Sequence, residues 1–333
     1  MQNETVVITG ASAGLGRAIA REWGKRGSNV VLVARGEKGL EGAAAEVESL
    51  GGHAHIVPTD VADADAVEHA AEEAERRFGP IDIWVNNAMA TVLAPAKEMK
   101  PEEYKRATEV TYLGVVYGTL AALRRMMPRD RGTIVQVGSA LAYRSIPLQS
   151  AYCGAKHAIL GFTDSLRCEL LHDKSNVHLT MVQMPAMNTT QFGWVRNKME
   201  HKSQPVPPIF EPEVGARAVY WAAHHNRREV YVGASSVGAI VGNKIAPGLL
   251  DKYLGKSGYK SQQTGQREDP TRPDNLFRPV DEAEDRGAHG HFDDRSSGYS
   301  VQLWADLHRR SLGIGAAVAA AVTGAILYRN RAA

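Results

Sequence analysis

Tyr152 and Lys156 lie four positions apart in a stretch that the sequence predicts as helical, and Ser139 precedes the tyrosine by thirteen positions. Side chains four positions apart share one face of a helix, so the phenol and the ammonium can reach the same small volume. A nearby serine hydroxyl could hold a substrate oxygen while negative charge develops on it. Y-x3-K alone is a frequent chance pattern, and Ser139 could be an ordinary turn hydroxyl. Their positions in the fold therefore decide whether they form a proton-transfer site for an alcohol or carbonyl oxygen.

The elements that must position these residues form a regular series between residue 5 and about residue 255. Seven apolar strands are predicted at 5–9, 29–34, 53–58, 81–86, 132–138, 177–183 and 229–232, and six helices at 14–26, 36–50, 63–78, 101–127, 150–172 and 211–224. This alternation predicts βαβ units, and hence an α/β fold with a doubly wound parallel sheet and helices on both faces. Ser139 then follows the fifth strand, at the edge of the sheet where parallel strands bind ligands.

Three closely spaced glycines follow the first predicted strand, in the sequence Thr9-Gly10-Ala11-Ser12-Ala13-Gly14-Leu15-Gly16. Glycines let the backbone turn tightly and approach a pyrophosphate, while the next helix offers free N–H groups and the positive end of its dipole. Three glycines could also serve the turn alone. Their place between a strand and an amphipathic helix favours a dinucleotide-binding site.

The residue at the end of the second strand distinguishes the two nicotinamide coenzymes. An acidic residue there binds a ribose 2′-hydroxyl, whereas a basic residue suits a 2′-phosphate. The predicted strand ends at Ala34, and the planar guanidinium of Arg35 can pair with a phosphate. The sequence therefore favours NADP(H) over NAD(H). The alternative is that Arg35 is an ordinary exposed arginine and that Glu37 binds the ribose.

The spacing Gly10-x3-Gly14-x-Gly16 resembles the T-G-x3-G-x-G motif of the short-chain dehydrogenases/reductases. Asn86-Asn87-Ala88 closes the fourth predicted strand, Ser139 follows the fifth, and Tyr152-Cys153-Gly154-Ala155-Lys156 opens the next long helix. This order and spacing are similar to those of the family over roughly residues 5 to 240. The resemblance implies a Rossmann-like fold and hydride transfer between NADP(H) and an alcohol or carbonyl carbon.

The resemblance also assigns roles to individual residues. Ser139, Tyr152 and Lys156 become the catalytic set, and Lys156 would in addition hold the ribose hydroxyls of the nicotinamide half. Ser12 is assigned to the phosphates, Asp60 and Val61 to the adenine, and Asn87 to the loop under the ribose. The full set implied to contact the coenzyme is Gly10, Ser12, Gly14, Leu15, Gly16, Arg35, Asp60, Val61, Asn87, Ala88, Tyr152, Lys156 and Pro185. A homodimer or homotetramer formed through helices 101–127 and 150–172 is implied as well.

Proton exchange at neutral pH requires Tyr152 to ionise more readily than a free tyrosine, whose pKa is near 10. The ammonium of Lys156 and the positive charge of an oxidised nicotinamide ring would both favour the phenolate. A pKa lowered by about 3 corresponds to roughly 4 kcal/mol of stabilisation of the phenolate. We therefore expect the pKa of Tyr152 to be lowered.

Three positions depart from the family pattern. Thr111 stands where many members have an asparagine that supports a water relaying protons to the lysine. We expect Thr111 to belong to the catalytic set, with a hydroxyl that holds this water less firmly. Met89 replaces the usual glycine after Asn-Asn-Ala, and Pro185-Ala186 stands where Pro-Gly is common. These two changes are expected to reshape the floor of the pocket slightly.

Large apolar side chains follow Pro185, in the region where the family carries its substrate lid. They are Met187, Phe192, Trp194, Met199 and Phe210, together with Pro205-Val206-Pro207-Pro208. An apolar lid suits an apolar substrate. The sequence therefore predicts a small apolar alcohol or carbonyl compound, without selecting one.

Composition and charge narrow the classes of function. The 333 residues are 44% hydrophobic and 23% charged, as in globular proteins, and the net charge of +2 disfavours nucleic-acid binding. Cys153 and Cys168 lie on one predicted helix, about 22 Å apart, too far for a disulfide. His224-His225 and His289-x-His291 lack the Cys or carboxylate spacing of a metal site, so no metal is predicted.

Two C-terminal regions follow the predicted catalytic domain, residues 1–255. Residues 256–300 are polar with few aliphatic side chains, so we predict a disordered linker. Residues 301–333 are predicted as a membrane anchor, because 311–328 carry no charge and as a helix would span about 27 Å, close to the roughly 30 Å of a bilayer core. Leu303, Trp304 and Leu307 are expected at the lipid interface. The alternative for 311–328 is a buried core helix.

The sequence thus predicts an oxidoreductase with a cytoplasmic catalytic domain, since NADP is a cytosolic coenzyme and the N-terminus lacks a secretion signal. A single C-terminal helix would hold it at the lipid bilayer. The alternative is an NADP-binding sensor or scaffold without turnover, motivated by Thr111 and by the apolar tail.

Overall fold

Seven parallel strands form the central sheet of the computed structural model, which describes residues 3–309 and 311–313. The strands are β1 (Thr5–Thr9), β2 (Asn29–Ala34), β3 (His53–Pro58), β4 (Ile83–Asn86), β5 (Thr133–Ser139), β6 (His178–Met184) and β7 (Glu229–Tyr231). Their order across the sheet is β7-β6-β5-β4-β1-β2-β3. The order reverses between β1 and β4, the place where open parallel sheets bind ligands. The predicted α/β fold with a doubly wound sheet of about seven strands is confirmed.

Helices cover both faces of this sheet. In the described ranges they are α1 (Gly14–Gly24), α2 (Glu37–Ser49), α3 (Ala64–Phe78), α4 (Pro101–Thr108), α5 (Gly114–Met126), α6 (Ser150–His172), α7 (Pro212–Ala223), α8 (Ala234–Ile245), α9 (Pro247–Ser261) and α10 (Val301–Leu307). One apolar core joins the sheet to α1, α2 and α7, and a second joins its other face to α3, α5 and α6. The sequence did not predict α8 and α9, whose glycines weaken intrinsic helix propensity.

The central strands are buried because their sequences are apolar at nearly every position. All residues of β1 and β2 are buried, and neighbouring residues of each strand face opposite cores. Val6 and Ile8 belong to the core under α1, while Val7 belongs to the core under α3. Strands covered on both faces give a continuous apolar run rather than an alternating one.

The helix predicted at 101–127 is interrupted in its middle. α4 ends at Thr108, Glu109–Leu113 form a π-helical turn, and α5 begins at Gly114. Thr111 lies in this turn and is fully buried. Its hydroxyl accepts a hydrogen bond from the N–H of Ala90 at 3.0 Å and donates one to the carbonyl of the same residue at 2.9 Å. The turn therefore fastens the helix to the loop after β4.

Residues 256–300 pack against the catalytic domain, so the prediction of a disordered linker is wrong. α9 extends to Ser261, and Gln263–Arg267 pairs antiparallel with His201–Ser203. Ser296–Ser297 pairs in parallel with Ile209–Phe210. A further pair of short strands, Val92–Leu93 with Arg196–Asn197, lies beside this region.

Ion pairs and one buried leucine hold this polar segment in place. The guanidinium of Arg17 binds both carboxylate oxygens of Asp285, and Arg196 Nε lies 2.8 Å from a carboxylate oxygen of Asp274. Leu276 is fully buried in the core that contains α3 and α5. A count of aliphatic residues misses such contacts, because the partners lie far away in the sequence.

The predicted membrane region begins with a helix that belongs to the globular domain. Leu303 in α10 is only 5% exposed and packs in the core with α1 and α7, so its assignment to a lipid interface is wrong. Asp306 binds Arg227 at 3.0 Å, which ties α10 to the loop before β7. The predicted span 311–328 lies outside the described residues except for 311–313. Over the part of the chain that the structure describes, no helix has the length and apolarity needed to cross a membrane.

Leu276→Ala will lower the free energy of unfolding by about 2–5 kcal/mol, because it leaves a cavity where a fully buried side chain was. Urea unfolding of the full chain measures this change. Leu249→Ala is the matched control: Leu249 is 69% exposed, and surface truncations change stability by at most about 0.5 kcal/mol. Equal losses in the two variants would show that residues around 276 are not packed as described.

Candidate active site

The backbone of the glycine turn between β1 and α1 requires glycine at its glycine positions. Gly10 has φ +68° and Gly14 has φ +57°, left-handed conformations that favour glycine. A Cβ atom on Gly16 would lie 2.0 Å from the carbonyl oxygen of Gly10. The N–H of Gly14 donates a 3.1 Å hydrogen bond to the carbonyl of Gly287. Residues 256–300, from here on the C-terminal segment, therefore reach the turn, a contact that the sequence did not predict.

The loop after β4 is bonded to the same turn. The side-chain amide of Asn87 donates to the carbonyl oxygens of Thr9 at 2.9 Å and Gly10 at 3.2 Å. The N–H groups of Asn87 and Ala88 both donate to the hydroxyl of Thr9. These bonds fix the loop assigned to the ribose against the turn assigned to the pyrophosphate.

Ser139, Tyr152 and Lys156 meet at one cavity at the carboxyl end of the sheet. Ser139 is the last residue of β5, and the other two lie in the first turns of α6. The ammonium nitrogen of Lys156 lies 5.6 Å from the centre of the Tyr152 ring. It donates a 2.7 Å hydrogen bond to the carbonyl of Val137. The cavity has a volume of about 610 Å³ and is also lined by the glycine turn.

Burial changes the ionisation of Tyr152 and Lys156. Loss of water raises the pKa of Tyr152 to about 12, and a hydrogen bond with Ser139 only partly opposes this. Burial lowers the pKa of Lys156 to about 8. The chain's own residues therefore do not lower the Tyr152 pKa, because desolvation outweighs the hydrogen bond with Ser139. The expected lowering included the positive nicotinamide ring and stays a prediction for the protein with coenzyme bound. A phenolate here requires additional positive charge beside the ring.

Arg35 follows β2 and lines the same cavity. One of its terminal nitrogens donates to the carbonyl of Asn275, while Nη1 is buried without a hydrogen-bond partner among the described residues. Burial lowers the pKa of Arg35, and the carboxylates of Asp60 and Asp281 act in the opposite direction. An unpartnered guanidinium N–H suits an anionic group such as a phosphate. Glu37, the alternative ribose ligand, is exposed and does not line the cavity.

The structure brings all the residues assigned to the coenzyme to this one cavity. Its lining includes Gly10, Ser12, Gly14, Leu15, Gly16, Arg35, Asp60, Val61, Asn87, Ala88, Tyr152, Lys156 and Pro185. The glycine turn lines the cavity, and Arg35 retains an unpartnered donor there. These features fit a nicotinamide dinucleotide.

Thr111 is the predicted catalytic residue that does not reach the cavity. It is absent from the lining, and both functions of its hydroxyl are used on the backbone of Ala90. Its prediction as a support for a proton relay is therefore corrected to a structural role.

Apolar side chains line part of the cavity, beside polar ones such as Gln149 and Gln204. Phe192 and Trp194 line it from the lid, but Met199 and Phe210 do not. Leu250 and Leu254 add apolar surface from α9, which the sequence assigned to no helix. Gln262, just after α9, donates to the carbonyl of Pro147 at 2.8 Å. This bond ties α9 to the loop that precedes the catalytic helix.

Comparison with known proteins agrees with this geometry. Residues 4–201, more than half of the chain, match the family model described as short chain dehydrogenase. An uncharacterized oxidoreductase of Bacillus subtilis (strain 168) is 31% identical over 296 residues, covering 87% of this chain and 82% of that protein. The 17-beta-hydroxysteroid dehydrogenase 13 of Mus musculus is 30% identical over 251 residues, covering 75% of this chain and 80% of that protein.

A solved structure shows the same architecture. An alcohol dehydrogenase from the archaeon Thermococcus sibiricus, complexed with 5-hydroxy-NADP, is 26% identical with a TM-score of 0.60. The similarity covers 69% of this chain and 96% of that chain. Nearly all of the archaeal chain is matched, whereas about a third of this chain is not. This chain therefore has residues beyond the shared core.

Lys156→Met will change how stability depends on pH. The pKa of Lys156 is lowered from 10.5 to about 8, so the folded chain holds this proton less tightly than the unfolded chain. The resulting cost is complete below about pH 8 and disappears as the pH rises towards 10.5. Relative to Lys156→Met, the unsubstituted chain will therefore gain stability across this range, as measured by urea unfolding at successive pH values. Parallel pH profiles for the two chains would show that the ammonium is not buried.

Proposed function

The chain belongs to the short-chain dehydrogenase/reductase family, and on that premise we propose that it is an NADP(H)-dependent oxidoreductase for an apolar alcohol or carbonyl compound. The observation that carries this proposal is the meeting of Ser139, Tyr152 and Lys156 with the glycine turn at one cavity. An oxidoreductase of this type needs a coenzyme site and a proton-transfer site in contact, and one cavity provides both.

Tyr152 is the proton donor in reduction and the proton acceptor in oxidation. Ser139 donates a hydrogen bond to the same substrate oxygen and holds it near the phenol. Lys156, fixed by the carbonyl of Val137, keeps a positive charge near the Tyr152 ring when protonated and so favours the phenolate. Bound NADP(H) supplies or accepts the hydride at the reacting carbon.

The preference for NADP(H) rests on Arg35. Its buried and unpartnered Nη1 supports binding of a 2′-phosphate, and Ala34 offers no carboxylate for a 2′-hydroxyl. The alcohol dehydrogenase similar in structure was solved with an NADP derivative. This likeness supports the same coenzyme class here.

The apolar substrate is proposed from the walls of the cavity. Phe192, Trp194, Leu250 and Leu254 give the cavity an apolar surface, which lies beside polar side chains such as Gln149 and Gln204. A related protein is named as a hydroxysteroid dehydrogenase, and a steroid is an apolar alcohol or ketone. Long apolar substrates of this kind are therefore the first to be assayed.

Two further proposals concern the whole molecule. We propose assembly as a homodimer or homotetramer through α4, α5 and α6, as is common in the family. We also propose that residues 311–328 anchor the chain to a lipid bilayer, with the catalytic domain in the cytoplasm. The support is an uncharged apolar run of bilayer length at the end of the chain.

A second candidate function is an NADP-binding sensor without turnover. The observation that favours it is Thr111, whose hydroxyl is used on Ala90 and supports no proton relay. Retention of Ser139, Tyr152 and Lys156 in one cavity speaks against it.

Tyr152→Phe will lower kcat by about 10²–10⁴-fold, because it removes the group that exchanges the proton. NADPH binding will be retained, since the ring remains. NADPH oxidation over a panel of aldehydes, ketones and quinones measures turnover, and quenching of protein fluorescence measures binding. Tyr259→Phe, at a tyrosine that does not line the cavity, is the matched control and will keep full activity. Binding of NADPH with no Tyr152-dependent turnover of any compound would favour the sensor.

A chain ending at Leu312 will lose membrane binding if the anchor proposal is correct. This end point retains α10, which packs in the core. Co-sedimentation with lipid vesicles will pull down the full chain and leave the shortened chain in the supernatant. Retained Tyr152-dependent activity in the shortened chain is the control for folding. Equal sedimentation of both chains would rule out the anchor.

A further inference from the structure

Asp281 brings a carboxylate into the coenzyme end of the cavity from the C-terminal segment. It is 6% exposed and lines the cavity together with Arg35. Its backbone carbonyl accepts a 3.1 Å hydrogen bond from the N–H of Gly39. The resemblance to the family assigned no residue of this segment to the coenzyme.

Two glycines make room for this carboxylate. A Cβ atom on Gly36 would lie 2.0 Å from Oδ1 of Asp281, and one on Gly39 would lie 2.6 Å from Oδ2. Gly36 directly precedes α2 and Gly39 lies in its first turn. The carboxylate thus rests where β2 passes into α2, the place at which a dinucleotide-binding fold recognises the adenosine ribose.

Two carboxylates, Asp60 and Asp281, act on the charge of Arg35, and Asp281 is the one without an ion-pair partner among the described residues. Asp60 also faces Arg35, but it is bound in an ion pair by Arg106. Asp281 forms no ion pair with any of the residues that the structure describes, although its charge acts on Arg35. A buried carboxylate beside a coenzyme site, with free acceptor oxygens, suits hydroxyl donors and repels a phosphate.

We propose that Asp281 is a specificity-determining residue of the coenzyme site, an inference that rests on the proposed function. Its carboxylate accepts hydrogen bonds from the ribose hydroxyls of the adenosine half and opposes the 2′-phosphate that Arg35 attracts. Coenzyme choice is then set by the balance of Arg35 and Asp281, and not by the residue after β2 alone. The chain consequently selects NADP(H) over NAD(H) less strongly than Arg35 by itself would.

Asp281→Asn in the full chain tests this role. The measured quantities are the dissociation constants for NADP⁺ and NAD⁺, by quenching of protein fluorescence or by calorimetry without any substrate. The ratio of the NAD⁺ constant to the NADP⁺ constant will rise about tenfold or more, because a repulsion between close charges in a partly buried site is removed. A ratio unchanged within about twofold would overturn the proposal. Asp281→Ser removes the same charge and repeats the test if the amide disturbs folding.

Two controls separate the carboxylate from its segment. Glu282→Gln makes the same change in net charge at a neighbouring exposed residue and will leave the ratio unchanged. Asp285→Asn weakens the bond of the segment to Arg17, at a residue that does not line the cavity. It too will leave the ratio unchanged. A rise equal to that of Asp281→Asn in either control would overturn the proposal.

Arg35→Leu distinguishes failure of this inference from failure of the proposed function. It will weaken NADP⁺ binding about tenfold or more and change NAD⁺ binding little. If NADP⁺ binding is unaffected by Arg35→Leu, the preference for NADP(H) is wrong. If Arg35→Leu weakens NADP⁺ binding while Asp281→Asn changes no ratio, only the role of Asp281 is wrong.

Discussion

The burial of the Lys156 ammonium beside the Tyr152 ring is the constraint on which the rest of the site depends. Taking an ammonium out of water is costly and lowers its pKa to about 8. The carbonyl of Val137 compensates part of this cost, and it does so only because β5 and α6 lie side by side. The same placement puts Ser139 at the end of β5 and fixes the loop before α6, which Gln262 holds from the other side. The contacts between β5 and α6 therefore both stabilise the fold and position Ser139, Tyr152 and Lys156.

The part of the molecule around the glycine turn is built from residues far apart in the sequence. Gly287 binds the N–H of Gly14, Asp285 binds Arg17, and Asp281 lies against the start of α2. These residues lie beyond the 4–201 segment that matches the family model. The shared core supplies the glycine turn, Ser139, Tyr152 and Lys156, whereas the C-terminal segment adds charges beside Arg35 and the start of α2. Relatives that lack such a segment would meet the coenzyme with a different charge distribution.

Much of the fold and the meeting of the candidate site residues at one cavity could be predicted because the signals are local. The apolar strands, the glycine turn after β1 and the four-residue spacing of Tyr152 and Lys156 depend on neighbours in sequence. The role of residues 256–300 could not be predicted, since Leu276 and Asp281 are ordered by partners far along the chain. Thr111 was misassigned because its hydroxyl forms hydrogen bonds with the backbone of Ala90. Thr111 lies in a π-helical turn, which the sequence did not predict. The raised pKa of Tyr152 in the protein without coenzyme could not be predicted, because depth of burial is invisible in a sequence.

The ionisation of Tyr152 is the quantity that links this geometry most directly to catalysis. It can be measured as tyrosinate absorbance in a pH titration of the full chain, from which the titration of the Tyr152→Phe variant is subtracted. We predict a pKa of about 12 for the protein alone. With NADP⁺ bound we predict a value well below the ordinary 10.0, because the positive ring charge then lies near the phenol. The same high pKa with and without NADP⁺ would contradict the assignment of Tyr152 as the proton-transfer residue.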